Sequence, residues 1–165
     1  ELMDHVGYKW WKHAEPDIEQ IQLEVVDIWH FGMSALMVTA NDTEALATTI
    51  CEDLSGEPTP ELSLLAASEA LAAACVTSGS FSTPAFLALM RASDLSFDQL
   101  YRMYVGKNVL NFFRPDHGYK HGSYIKVWNG REDNEHLSDI LSGLDATEKD
   151  FADAVYQGLS SVYPG

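Results

Sequence analysis

Along most of the chain, apolar residues return every third or fourth position, the spacing that gives a helix one buried face. The longest such segment runs from 18 to about 40, with Ile21, Val25, Ile28 and Met33 or Ala35 on its apolar stripe and Pro16-Asp17 just before it. Asn41-Asp42 ends this helix, and Thr43 opens a shorter one to position 54. Gly56, Pro58 and Pro60 make 55–60 the clearest loop. An Ala/Leu-rich helix over 61–76 is ended by Ser78-Gly79-Ser80, and Pro84 begins another to about Met90. Proline suits a helix start because the N–H it lacks has no partner in the first turn anyway. Asp94 or Ser96 is placed to cap a helix over 97–113, which Arg114-Pro115 should stop. The glycines and prolines of 114–131 predict a structured loop, followed by two closing helices over 133–141 and 147–163. Strand signals are scarce, so the pattern predicts an all-α helical bundle with a glycine-bearing basic loop between helices.

The chain has 165 residues, 46% of them hydrophobic and 21% charged, which is the balance of a globular protein with a real core. We expect a single domain over 1–165. It opens on Glu1 rather than Met and lacks the basic flank of a signal peptide, so it is expected to be incomplete at its N-terminus. No run of about 18 apolar residues occurs, and no membrane-spanning segment is expected. Two cysteines, Cys51 and Cys75, supply neither a disulfide framework nor zinc spacing, which favours an intracellular, cytoplasmic setting.

Charge changes the picture more. A formal net charge of −15 argues against general nucleic-acid binding, which rests on neutralising phosphates. Yet six of the ten basic residues (Arg102, Lys107, Arg114, Lys120, Lys126 and Arg131) fall between 102 and 131, against the single acid Asp116. A local positive patch in an acidic protein points to one small anionic ligand, which it would help to capture. A basic surface face of no consequence is the competing reading.

Glu24 and Asp27 are three apart on the first long helix, so their side chains project together. They stand among Leu23, Val25, Val26, Ile28 and Trp29, on a helix apolar enough to bury much of its circumference. Buried carboxylates without a counter-charge are costly. Hard oxygen ligands in this arrangement suit Mg²⁺, which takes a few carboxylates and completes its shell with water and substrate phosphates. Glu1 and Asp4 form a second pair at the same spacing. His117 and His121, four apart, lack a convincing third ligand for zinc. By residue type alone, Trp29 is more often core, and His30 more often a hydrogen-bonded interior histidine.

Two segments carry a family resemblance. One is Lys9-Trp10-Trp11-Lys12 together with Glu24-Val25-Val26-Asp27-Ile28-Trp29-His30-Phe31. The other is the run from Lys107 to Asn134, KNVLNFFRPDHGYKHGSYIKVWNGREDN. Together they resemble the dimeric dUTPase family, a branch of the all-α NTP pyrophosphohydrolases. The resemblance implies Mg²⁺-dependent hydrolysis of dUTP, and of dUDP, to dUMP by a homodimer. That family binds its metal through a Glu-x-x-Glu on one helix and a Glu-x-x-Asp on the next. Glu1 matches the second Glu of the former, and Glu24 with Asp27 matches the latter. Glu1 and Glu24 are thereby the implied catalytic acids. Trp10, His30, Phe31 and Asn111 are implied to line the uracil pocket. Lys107, Arg114, Tyr119, Lys120 and Lys126 are implied to hold phosphates, and Asn134 to meet the sugar. Two alternatives stay open: a related pyrophosphohydrolase with another preference, such as dCTP, and a non-catalytic helical binding module.

Overall fold

The computed structural model of the chain describes residues 2–7, 15–56 and 61–165. Among these are eight α-helices, one 3-10 turn and a two-stranded antiparallel sheet, so the expected all-α class is the one adopted. The chain divides into two compact units, Glu1–Ser96 and Phe97–Gly165.

The first unit holds α1 (Leu2–His5), α2 (Ile18–Thr39), α3 (Thr43–Leu54), α4 (Leu64–Ser78) and α5 (Thr83–Ala92). Helices α2 to α5 start where a side chain accepts a free N–H of the first turn: Asp17 from Gln20, Asp42 from Glu44 and Ala45, Ser63 from Ala66, and Ser82 from Ala85. Ser63 explains why α4 begins later than its apolar pattern does. The core joins Ile21, Val25, Val26 and Trp29 of α2 with Phe86, Leu87, Leu89 and Met90 of α5. Trp29 is a core residue, stacked on Phe86 at 5.0 Å with Phe81 against its edge. Gln22 anchors the end of α5 by donating to the carbonyls of Ser93 and Asp94. By length and mean hydropathy (1.2), α2 does meet the bare requirement of a membrane span, contrary to the expectation that no segment would. Its buried stripe of Ile21, Val25, Val26 and Trp29 is the way a core helix uses such a composition.

The second unit holds α6 (Phe97–Asp116), a 3-10 turn (Tyr119–His121), β1 (Val127–Trp128), β2 (Arg131–Glu132), α7 (Asp133–Ser142) and α8 (Phe151–Val162). Leu110, Phe113, Trp128, Leu137, Leu141, Phe151, Val155 and Leu159 form its core. Helix α6 runs past Arg114 and contains Pro115, where a stop was expected. A proline in the last turn removes one backbone donor, and the turn still closes through His117 N–H to Phe113 O and Gly118 N–H to Pro115 O. The hairpin is a second departure. Asn129 and Gly130 both take positive φ (51° and 84°), which lets a two-residue turn match the twist of β1 and β2. Helix α8 starts later than position 147, because Asp145 accepts from the Thr147 N–H and hydroxyl and holds that stretch in a turn.

Candidate active site

Glu24 and Asp27 lie one turn apart on α2, both half-buried, with exposed Phe31 (77%) continuing the same flank. The opposite side of α2 carries the core stripe, which is why this flank stays at the margin of solvent. The Nδ1–H of His30 donates to the Val26 carbonyl at 3.1 Å. The interior hydrogen bond expected of such a histidine is thus present. Glu1 and Trp10 lie outside the described residues, as does the Lys9-Trp10-Trp11-Lys12 segment.

The residues tied to anion binding sit in the second unit. Lys107, Asn111 and Arg114 share one face of α6 at spacings of four and three. Tyr119 and Lys120 stand exposed on the 3-10 turn, which Gly118 opens with φ 87°. Lys126 is exposed at the end of the loop and pairs with Glu132 at 3.2 Å. Asn134 is the second residue of α7, and its Oδ1 is buried without a hydrogen-bond partner among the described residues.

Arg114 is held in a network that the sequence pattern did not reveal. Its Nε donates to Asp133 Oδ2 at 2.8 Å and its Nη2 to Oδ1 at 3.0 Å, a bidentate fork onto a carboxylate with no solvent exposure. The Tyr124 hydroxyl donates to the same Oδ2 at 2.9 Å. Burial alone would lower the Arg114 pKa, but the hydrogen bond and charge of Asp133 raise it, so the guanidinium stays charged. Burial, then Asp133, pushes the Tyr124 phenol well above its ordinary value of 10.0. Asp133 also ties the loop's backbone, its N–H donating to the Lys126 carbonyl at 3.0 Å.

The other two arginines of the basic segment are similarly engaged. Arg102 donates to the carbonyls of Leu141 and Leu144, and Arg131 pairs with Asp139 and Glu135. Glu132, Asp133, Glu135 and Asp139 all lie just beyond position 131, so a count that ends there makes the segment look more positive than its surroundings are. Exposed Lys120 makes no ion pair with a described residue.

Among the described residues, no three His, Cys, Asp or Glu side chains gather as a metal cluster. Two half-buried carboxylates one turn apart nevertheless fit Mg²⁺, which needs one or two such ligands when water and substrate phosphates supply the others.

A helical fold with paired acids on one helix and a braced, lysine-bearing segment suits an enzyme that acts on a small polyanion. A family model described as dUTPase matches residues 1–119, and the chain belongs to that all-α dUTPase family. Its activity is that of a dUTP diphosphatase. The match ends at Tyr119, so Lys120, Lys126 and Asn134 lie beyond the matched residues. A search of curated proteins finds no match.

Proposed function

We propose that the chain cleaves dUTP, and also dUDP, to dUMP with Mg²⁺ held by Glu24, Asp27 and Glu1. The observation that carries this reading is the acidic pair of α2, two carboxylates one turn apart and half-buried beside a core stripe. Two carboxylates at this spacing offer hard oxygen ligands to a divalent cation, which takes one or two of them beside water and substrate phosphates. When bound, such a cation offsets the charge of the polyphosphate and acidifies the attacking water. The water oxygen bonds to phosphorus as the bridging P–O bond breaks, and a carboxylate, Glu1 or Glu24, takes the water proton as general base.

Lys107, Arg114, Tyr119, Lys120 and Lys126 are assigned to the phosphates, Asn134 to the sugar, and Trp10, His30, Phe31 and Asn111 to uracil. The unpaired buried Oδ1 of Asn134 supports its part, since a buried acceptor is stabilised by any donor a ligand brings. Asn111 offers a donor and an acceptor side by side, as a uracil edge requires. We further read the chain as one functional domain, because the family match runs through position 96 without a break. A homodimer with a cytoplasmic role in nucleotide-pool housekeeping completes the proposal.

The test is product release from a panel of dUTP, dUDP, dCTP, dTTP and ATP, with Mg²⁺ and with a chelator. We expect dUTP and dUDP to be cleaved to dUMP, the others far more slowly, and a chelator to stop the reaction. Equal turnover of dCTP would move the chain to another nucleotide preference, and full activity in the chelator would remove the metal from the scheme.

A further inference from the structure

Asp133 has no place in the assignments above, yet it is the most completely coordinated polar group of the second unit. Its side chain is fully buried at the first position of α7. Oδ2 accepts from Arg114 Nε and from the Tyr124 hydroxyl, Oδ1 accepts from Arg114 Nη2, and its backbone N–H reaches the Lys126 carbonyl. A buried carboxylate is retained at such a place only when donors surround it, and three side-chain donors converge here. They come from α6 and from the loop that α6 runs into, so the carboxylate fixes Arg114, one of the residues assigned to phosphate, while the backbone N–H of the same residue holds the Lys126 carbonyl.

The geometry also selects which part of Arg114 is left to act. Asp133 occupies the Nε/Nη2 edge of the guanidinium. The Nη1 side faces Asn111, whose Oδ1 lies at 3.5 Å, too long for a strong bond. We infer that Asp133 is a positioning residue: it locks the Arg114 guanidinium by one edge, so that the Nη1 edge beside Asn111 is presented to the anionic part of the nucleotide. The inference rests on the assignment of Arg114 to phosphate binding. Because Asp133 is fully buried with both oxygens engaged, it acts through Arg114 and Tyr124. Holding an arginine in its binding rotamer before the ligand arrives removes an ordering cost from binding, so the effect belongs in KM more than in kcat.

Steady-state kinetics with dUTP on the full-length protein test this, using Arg114→Gln, Asp133→Asn, Tyr124→Phe, and each of the last two combined with Arg114→Gln. We expect Asp133→Asn to raise KM about tenfold, within the range seen when residues orienting a ligand group are changed. Tyr124→Phe should raise it about threefold, through the loss of one hydrogen bond to the same oxygen. In the Arg114→Gln background neither change should move KM by more than about twofold, since coupled residues are not additive. If Arg114→Gln itself leaves KM at the wild-type value, the phosphate assignment fails. If Arg114→Gln raises KM while Asp133→Asn lowers only the melting temperature, Asp133 is structural and this inference alone is overturned. Should Asp133→Asn not fold, Tyr124→Phe decides: a KM equal to wild type in that variant overturns the inference.

Discussion

Glu24 is half-buried on α2 beside a wholly buried stripe, so its carboxylate can be neutralised without leaving a hole. Glu24→Gln keeps the shape and removes the charge. Turnover of dUTP should fall by about a hundredfold or more, because a metal ligand and its charge stabilisation are lost together. Thermal unfolding should barely move, and an undiminished rate would reject the metal assignment. Tyr124 gives a pH signature. Its folded pKa lies above the ordinary 10.0, so the protonated phenol contributes stability in full below that value. As pH rises from about 10 toward the raised folded value, ionisation favours the unfolded chain and the contribution is lost. Tyr124→Phe should therefore flatten the alkaline limb of a stability-versus-pH curve measured by urea unfolding, and an unchanged limb would show that burial and Asp133 do not hold the phenol protonated. At this scale the acidic pair of α2 was legible, since spacing alone places Glu24 and Asp27 together. Asp133 was not legible, because its partners Arg114 and Tyr124 are 19 and 9 positions away and only the turn between α6 and α7 brings them in.

Among the elements, α6 and α7 approach at Gly106, where a Cβ would stand 2.7 Å from Leu141 Cδ1 and 2.9 Å from Cδ2. Gly106→Val should destabilise the second unit by about 1–3 kcal/mol, the usual result of overpacking. The check is the melting temperature, and a variant as stable as wild type would mean the helices part at no cost. The loop between α6 and β1 carries left-handed glycines at 118 and 122 and is expected to order around the nucleotide. Limited proteolysis with and without a non-hydrolysable dUTP analogue should show protection within 114–131 on binding, and equal cutting counts against closure. The existence of α2 to α8 was readable, α1 was missed, and errors in the others gathered at ends. Pro115 looked like a stop because local sterics disfavour it, whereas the turn's remaining hydrogen bonds carry α6 through. The hairpin was missed: Asn129-Gly130 is a strong two-residue turn signal, but its strands are two residues each and show no alternation.

For the whole molecule, the acidic total of −15 stands against a substrate that is itself a polyanion, so capture must be local. Composition located the basic segment correctly but overstated its freedom, because Arg114 and Arg131 are matched by acids that follow in the chain. The proposed homodimer is a prediction at this scale too. Val38 and Val76, both of the first unit, are 86% and 85% exposed and are the side chains chosen to probe it. Light scattering after gel filtration should give twice the mass of one chain. Val76→Asp should shift the population toward one chain, and a wild-type monomer at micromolar concentration would reject the dimer.

Tyr163, just past the end of α8, stacks on Tyr124 at 5.5 Å, presents its ring to Phe113, His117 and Trp128, and accepts the Ile125 N–H on its hydroxyl. The stretch proposed to grasp the nucleotide is thus wedged from behind by the ring of Tyr163. Tyr163→Ala should therefore slacken that stretch and raise the KM for dUTP while the helix content read by circular dichroism holds, and an unchanged KM would show that the wedge is idle.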